Sequence, residues 1–230
     1  MSPYSRSDLV FLHGWGGSSQ SWLPVSQRLT SNFHVHTPNL PGFPEFRLPH
    51  VYTLADYSDF FINFIIQKKI NKPVLVGHSF GGAIAAKIAI NRPRLISKLV
   101  LVNAACIRKP RHLKILLAKI AKLILFPFKT PLLKSLRLDK LDYYQIHDPN
   151  LKKTFQNIIH ADLSPELSKI SLPTLIIWGD NDRETPLTDG QKIHSLVPRS
   201  QFFSFPHAGH FPYLDHQSEF IDLLTKFVRS

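Results

Sequence analysis

The chain has 230 residues, 43% of them hydrophobic, which is enough for one substantial globular core. Its 28 basic and 16 acidic residues give a net charge of +12. This charge points to anionic surroundings, such as a membrane surface, a nucleic acid or an acidic substrate, although solubility or genomic bias would explain it as well. Cys106 is the single cysteine, which excludes an internal disulfide, and it follows an apolar segment as a packed core thiol would. The N-terminus has no hydrophobic signal core, so we expect a cytoplasmic protein.

Six short apolar segments alternate with helical patterns along the chain. The predicted strands cover residues 8–12, 33–37, 73–76, 97–103, 173–178 and 201–205. Apolar residues at helical spacing predict helices over residues 18–29, 53–65, 82–90, 187–196 and 220–227. Strands that are apolar throughout are typical of a parallel sheet covered on both faces. The sequence therefore predicts an α/β fold, with a mostly parallel sheet and helices on both sides of it.

Residues 107–169 interrupt this alternation. They contain no convincing strand and predict helices over residues 111–126, 131–138 and 151–160. They also carry 13 of the basic residues but only 5 of the acidic ones. We interpret this segment as a helical cap inserted into a core that is formed by residues 1–106 and 170–230. Its apolar face would close a pocket, and its basic face would meet solvent or, alternatively, lie on an anionic membrane. That face comprises Arg108, Arg111, Lys114, Lys119 and Lys122.

Ser79 lies between Gly77 and Gly81, at the junction of a predicted strand and a predicted helix. This G-x-S-x-G pattern is typical of a nucleophile elbow, a sharp turn that holds the serine hydroxyl above the sheet. Side chains at the two glycine positions would clash in so tight a turn. The N-terminus of the following helix would favour developing negative charge. The pattern predicts Ser79 as a nucleophile.

Two further polar turns follow the fifth and sixth predicted strands. Residues 178–186 offer Asp180 and Asp182, and residues 207–212 offer His207 and His210. A serine nucleophile needs a base, and the base needs an acid to orient it. Because the carboxyl ends of parallel strands meet at one edge of a sheet, a serine, an acid and a histidine can converge there.

The motifs together resemble the α/β-hydrolase superfamily, in the capped branch that includes carboxylesterases, lactonases, perhydrolases and C–C bond hydrolases. The matching stretches are His13-Gly14-Trp15-Gly16, Gly77-His78-Ser79-Phe80-Gly81-Gly82, Trp178-Gly179-x-x-Asp182-x-x-x-Pro186 and Gly209-His210-Phe211. They stand in the family order and span nearly the whole chain. Only seven residues precede Asp8, so we expect about six parallel strands and at most one short edge strand more.

The resemblance implies a role for each candidate side chain. It implies Asp182 as the acid and His210 as the base, and it leaves Asp180 as an exposed loop carboxylate. It implies that His207 lies at the surface or among the residues that surround the catalytic ones.

The backbone N–H groups of Trp15 and Phe80 are implied as the oxyanion hole. Trp15, Phe80 and Phe211 are candidates for lining the acyl pocket. Of the remaining histidines, His78 is expected to pack or to hydrogen-bond locally, and His13 to orient the turn after the first strand. The other histidines lack metal-ligand spacing, so we expect neither a metal nor a cofactor.

The function predicted from these features is hydrolysis of carboxylic esters with small to medium apolar acyl groups, through an acyl-enzyme on Ser79. A C–C bond hydrolase or a lactonase would use the same triad. A membrane-associated lipase or an acyltransferase is a further alternative, the latter because His210 begins a His-x-x-x-x-Asp pattern that ends at Asp215. A non-catalytic binding module is the alternative outside enzymes. The expected partner is a small-molecule ester, and nucleic-acid binding is disfavoured because no motif for it is visible.

Overall fold

The computed structural model describes residues 6–43, 46–108 and 148–230. Six strands form one sheet in the order β2-β1-β3-β4-β5-β6, and every neighbouring pair is parallel. The strands are β1 (Asp8–Leu12), β2 (His34–His36), β3 (Val74–His78), β4 (Lys98–Val102), β5 (Thr174–Gly179) and β6 (Ser200–Phe205). This confirms the predicted parallel sheet of six strands.

Helices connect the strands and cover both faces of the sheet. Numbered over the described residues, they are α1 (Leu23–Leu29), α2 (Leu54–Gln67), α3 (Phe80–Asn91), α4 (Pro149–Ile158), α5 (Leu187–Leu196), α6 (Pro212–Asp215) and α7 (Gln217–Arg229). Short 3₁₀ turns cover Ser19–Trp22, Pro93–Leu95 and Leu167–Lys169. Over these described ranges, no helix combines the length and the apolar character that crossing a membrane requires.

The side chains of each central strand enter two separate cores. In β1, Val10 and Leu12 pack on the side of α2 and α3, whereas Leu9 and Phe11 pack on the side of α1 and α7. All four are fully buried. Successive side chains of a strand point to opposite faces, so a strand covered on both faces must be apolar at every position. This explains the apolar runs from which the central strands were predicted.

One predicted helix is divided in the structure. Residues 18–29 form a 3₁₀ turn at Ser19–Trp22 followed by α1, rather than one continuous helix. Pro24 is the reason, because it has no N–H to donate to the carbonyl oxygen of Gln20. The predicted helix that begins at Thr53 is confirmed as α2. The Thr53 hydroxyl accepts a hydrogen bond from the Asp56 N–H, and the Asp56 side chain accepts one from the Thr53 N–H.

The described end of the predicted cap is the helix α4. It covers Pro149–Ile158 rather than residues 151–160, because the Asp148 carboxylate accepts a hydrogen bond from the Leu151 N–H and caps it earlier. Thr154 accepts a hydrogen bond of 2.7 Å from the Tyr52 N–H, and the Asn157 side chain donates one of 3.3 Å to the Tyr52 carbonyl oxygen. The helix is therefore fixed to the loop before α2. The predicted helices over residues 111–126 and 131–138 lie outside the described residues.

Candidate active site

The nucleophile elbow has the strained geometry that its sequence predicts. Ser79 joins β3 to α3 with φ 52° and ψ −116°, a region that non-glycine residues rarely occupy. A Cβ atom on Gly77 would collide with the carbonyl oxygen of Gly81, and one on Gly81 would collide with the carbonyl oxygen of Leu12. Both glycines are therefore sterically required, as predicted. The turn exposes Ser79 at the carboxyl edge of the sheet.

Asp182 and His210 meet at the same edge. The Asp182 Oδ2 atom lies 2.8 Å from His210 Nδ1, and the Asp182 side chain is completely buried. The other carboxylate oxygen, Oδ1, accepts hydrogen bonds of 2.7 Å from the Glu184 N–H and 3.1 Å from the Thr185 N–H. The turn that follows β5 is thus folded around the carboxylate, which points at the imidazole.

Asp182 stays ionised in spite of its burial. Burial alone would raise the pKa of Asp182, but hydrogen bonds from His210, Thr185 and Asn103 outweigh it and lower the pKa to about 2. A carboxylate that is charged throughout the neutral range can hold the Nδ1–H tautomer of His210. It would also stabilise the imidazolium that forms when Nε2 takes up a proton.

Asn103 and Thr185 contribute to this arrangement and were not found from the sequence. Asn103 follows β4 with φ 44° and donates through Nδ2 to Asp182 Oδ2, while its Oδ1 atom accepts a hydrogen bond from the Gly179 N–H. The Thr185 hydroxyl donates a hydrogen bond of 2.6 Å to the same Oδ2 atom. The available signal was an asparagine directly after an apolar strand. Asparagine tolerates a positive φ, and its side-chain amide can hydrogen-bond to a neighbouring turn.

His78 hydrogen-bonds to the backbone of the candidate base, beyond the local packing or hydrogen bonding expected of it, and His13 orients the glycine-rich turn as expected. The Nε2–H of His78 donates a hydrogen bond of 2.7 Å to the backbone carbonyl oxygen of His210. Burial, and then the charge of His210, lower the pKa of His78 to about 3, so its ring is neutral at neutral pH. His13 accepts a hydrogen bond from the Leu40 N–H at Nε2 and lies 2.8 Å from the Gly14 carbonyl oxygen at Nδ1, which orients the glycine-rich turn.

A cavity of about 400 Å³ opens above Ser79. The three aromatic residues predicted as pocket candidates, Trp15, Phe80 and Phe211, all line it, as does His210. The Trp15 ring packs edge-on against Phe80 with centroids 5.7 Å apart, and Phe155 of α4 contacts the same ring. Aromatic side chains therefore form part of the cavity wall, and Ser79 and His210 also line it.

The alternatives to these residues lie elsewhere. Asp180 and His207 are exposed and neither lines the cavity. Asp215 accepts a hydrogen bond of 2.8 Å from the Gly209 N–H, which fixes the loop before His210. Cys106 is buried, as predicted, and burial raises the pKa of its thiol to about 12. Across residues 6–43, 46–108 and 148–230, no cluster of three or more His, Cys, Asp or Glu side chains is placed to hold a metal ion.

The backbone amides expected to form an oxyanion hole border the same cavity. Among the described residues, the N–H groups of Trp15 and Phe80 have no hydrogen-bond acceptor, and Phe80 is the first residue of α3. The first amides of a helix have no partner within it, so they are available to a ligand. The described residues show no hydrogen bond between the Ser79 hydroxyl and His210. Such a bond often forms only when substrate is present.

Comparison with known proteins gives the family. A model described as the alpha/beta hydrolase family matches residues 9–223. The chain belongs to the alpha/beta hydrolase family. All six strands and every motif discussed above fall within the matched region, apart from the first residue of β1.

Individual relatives of this alpha/beta hydrolase are distant but cover it almost completely. A pimeloyl-[acyl-carrier protein] methyl ester esterase of Aliivibrio fischeri is 27% identical, over 96% of this chain and 93% of its own length. An uncharacterized hydrolase of Bacillus subtilis, YugF, is 29% identical over 89% of this chain and 84% of its own. The crystal structure of a hydrolase from Pseudomonas aeruginosa superposes with a TM-score of 0.77 at 21% identity, covering 98% of this chain and 91% of that one. The last similarity supports the fold.

Two charged residues line the cavity of this alpha/beta hydrolase where the sequence did not predict them. Arg108, which was assigned to the basic face of the cap that meets solvent or a membrane, is one of them, and Glu184 is the other. Glu184 lines the cavity, and its Oε2 atom lies 3.4 Å from His210 Nε2. The two ring nitrogens of His210 thus face two different carboxylates, Asp182 at Nδ1 and Glu184 at Nε2. The motif predicted the first contact, whereas the second involves a position that the motif leaves open.

Proposed function

We propose that this alpha/beta hydrolase is a serine esterase acting on carboxylic esters of small to medium apolar acyl groups. The observation that carries the proposal is that Ser79, in its strained elbow, and His210, bonded to Asp182, line one cavity. A volume of about 400 Å³ with Trp15, Phe80, Phe155 and Phe211 on part of its wall suits a short or medium acyl chain. The distant relative that is named as a methyl ester esterase supports an ester rather than a C–C bond as the substrate.

In the proposed first half-reaction, the Ser79 hydroxyl oxygen attacks the carbonyl carbon of the ester while His210 Nε2 takes its proton. The carbonyl oxygen becomes an oxyanion that accepts hydrogen bonds from the Trp15 and Phe80 N–H groups. Asp182 holds the proton on Nδ1 and stabilises the imidazolium. When the intermediate collapses, the carbon–oxygen bond to the alcohol breaks. His210 gives its proton to the departing oxygen, and the acyl group remains on Ser79.

In the second half-reaction, His210 removes a proton from water as the water oxygen attacks the acyl-enzyme. A second oxyanion forms in the same backbone site and collapses with loss of the Ser79 oxygen. The carboxylic acid leaves, and Ser79 recovers its proton from His210. His78 remains neutral throughout, because its only proton is committed to the His210 carbonyl oxygen and burial opposes a second one.

The proposal is tested by substituting Ser79→Ala and measuring turnover of p-nitrophenyl esters with acyl chains of increasing length. We expect the variant to fold and its kcat/KM to fall by several orders of magnitude, because the nucleophile is gone. A fluorophosphonate probe should label the wild-type chain and not the variant. Turnover that survives in Ser79→Ala would reject the mechanism. Turnover of lactones, and not of open-chain esters, would replace the proposed substrate with the lactonase alternative.

A further inference from the structure

Glu184 presents its side chain to the cavity while its backbone is fixed to the candidate acid. Its N–H donates a hydrogen bond of 2.7 Å to Asp182 Oδ1, and the next N–H, of Thr185, binds the same oxygen. Its carboxylate reaches to 3.4 Å from His210 Nε2, and the side chain is 71% exposed. The turn that orients Asp182 therefore also delivers a second carboxylate to the opposite nitrogen of the imidazole.

Glu184 carries a negative charge into a cavity that two charged side chains line among the described residues. Of the described residues that line the cavity, Glu184 is the only carboxylate, and Arg108 is the only permanently charged base. The Arg108 guanidinium donates to the Ile158 carbonyl oxygen, and its backbone N–H donates to Asp162. These two contacts are with α4 and with the segment that follows it. Among the described residues that line the cavity, Glu184 is the charged side chain found within 4 Å of His210 Nε2.

This position matters for the leaving group. In the proposed mechanism, on which this inference rests, Nε2 gives its proton to the departing alcohol oxygen. That oxygen must come within hydrogen-bond distance of Nε2, so substituents of the alcohol pass beside the Glu184 carboxylate. A positive group on the alcohol would be attracted there, and a negative one would be repelled.

We propose that Glu184 determines specificity for the alcohol part of the ester, favouring cationic alcohols over neutral ones and neutral over anionic ones. The substrate class is thereby narrowed to esters of an apolar acid with an alcohol that carries an ammonium or similar cationic group near the ester oxygen. The exposure of the side chain limits the size of the effect, since water screens a charge pair at a surface. We therefore expect a preference of about fivefold in kcat/KM rather than an absolute selection.

The test compares two esters with one acyl group and nearly isosteric alcohols. Butyrylcholine carries a quaternary ammonium, whereas 3,3-dimethylbutyl butyrate carries a neutral tert-butyl group of similar shape. The ratio of their kcat/KM values is measured in the wild type and in Glu184→Gln, which keeps the size of the side chain and removes its charge. Because both esters depend on the same His210, the ratio cancels any effect of Glu184 on the base itself. We expect the ratio to fall by about fivefold in Glu184→Gln.

Two controls make the result specific. Asp180→Asn removes the same charge from an exposed carboxylate in the same turn that does not line the cavity, so the ratio should not change. Raising the salt concentration from about 20 mM to about 500 mM should lower the wild-type ratio without any mutation, because salt screens an exposed charge.

The inference is overturned if the ratio is equal in the wild type and Glu184→Gln, or if the wild type cleaves the choline ester no faster than the neutral one. Either result leaves the proposed esterase activity standing, since that activity is judged by Ser79→Ala alone.

Discussion

His78 donates a hydrogen bond of 2.7 Å to the backbone carbonyl oxygen of His210, across 132 residues of sequence. A carbonyl oxygen can only accept, so the proton of the neutral His78 ring must be on Nε2. The residue before the candidate nucleophile thus fixes the backbone of the candidate base. Because the ring of His78 is buried, the bond also satisfies a polar atom that has no access to water.

The first prediction concerns this bond. His78→Leu should lower kcat by about tenfold and the free energy of unfolding by about 1–3 kcal/mol, because it leaves a carbonyl oxygen without a partner. His78→Gln can still donate to that oxygen and should recover part of both losses. Ester kinetics and urea unfolding measure the two effects. Equal kcat values in the Leu and Gln variants would show that the bond does not position His210.

The second prediction concerns the orientation of His210. Asp182→Asn should lower kcat by about 10³–10⁴-fold, because an amide facing Nδ1 favours the wrong tautomer of the imidazole. The Asp180→Asn variant is the matched control and should retain wild-type kcat, since Asp180 is exposed and outside the cavity. Single-turnover and steady-state kinetics with a p-nitrophenyl ester should show losses in both acylation and deacylation, because His210 is the base in both steps. A loss of less than about tenfold in Asp182→Asn would contradict the assigned role.

The third prediction follows from the lowered pKa of Asp182. Its folded pKa of about 2 lies below the ordinary value near 4, so the folded state binds the proton less readily than the unfolded one. The resulting stabilisation of about 2 kcal/mol is present above pH ~4 and is lost as the pH falls towards 2. The free energy of unfolding of the wild type, measured by urea between pH 6 and 2, should therefore decline more steeply than that of Asp182→Asn. Parallel curves for the two proteins would contradict the shift.

The fourth prediction separates the two properties of Asn103, its amide and its positive φ. Asn103→Gly keeps the backbone conformation and removes the hydrogen bond to Asp182, so kcat should fall by about tenfold. Asn103→Leu removes the same bond and also strains the backbone, which should cost about 1–2 kcal/mol of stability beyond the glycine variant. Thermal unfolding and ester kinetics on the same preparations distinguish the effects. Wild-type kcat in Asn103→Gly would show that Asn103 does not act through Asp182.

The fifth prediction concerns the space around the elbow. Gly77→Ala places a methyl group against the carbonyl oxygen of Gly81, so we expect a loss of several kcal/mol or failure to fold. Gly209→Ala is the matched control, because its Cβ would be 3.7 Å from its nearest neighbour, the Asp215 carboxylate. The melting temperature of the control should stay near that of the wild type. Similar melting temperatures for the two variants would contradict the packing described at the elbow.

The sequence predicted those features that depend on pattern over several residues. The central strands β1, β3, β4 and β5 were predicted because both faces of the sheet are covered there, which favours apolar residues along the whole strand, whereas the edge strands β2 and β6 also carry polar, partly exposed side chains. Ser79 was predicted as the nucleophile because glycines stand on both sides of it at a strand–helix junction, and the family resemblance implied Asp182 and His210. The structure brings His210 to Asp182 and to the cavity that Ser79 lines, and the catalytic roles of the three residues belong to the proposed function. The helix over residues 18–29 was predicted too long because apolar spacing does not register the missing N–H of Pro24.

Other features depend on single contacts between distant residues and could not be predicted. The role of Asn103 arises from a positive φ after β4 that brings its amide to a turn 79 residues further along the chain. The role of Glu184 arises because the turn after β5 uses its backbone for Asp182 and leaves its side chain facing His210. Glu184 belongs to no periodic or spaced pattern, and the one signal for Asn103, an asparagine directly after an apolar strand, does not show which residue its amide contacts.

The strand order also has a consequence for how the chain acquires its activity. Ser79 follows β3 near the middle of the sheet, whereas Asp182 and His210 follow β5 and β6, which are added at one edge after β4. Every pairing in this sheet is parallel and non-local, a topology that folds slowly. Because the chain is made from its N-terminus, β1 to β4 and the elbow are complete before Asp182 and His210 are added. Activity should therefore appear only after β5 and β6 have joined the sheet.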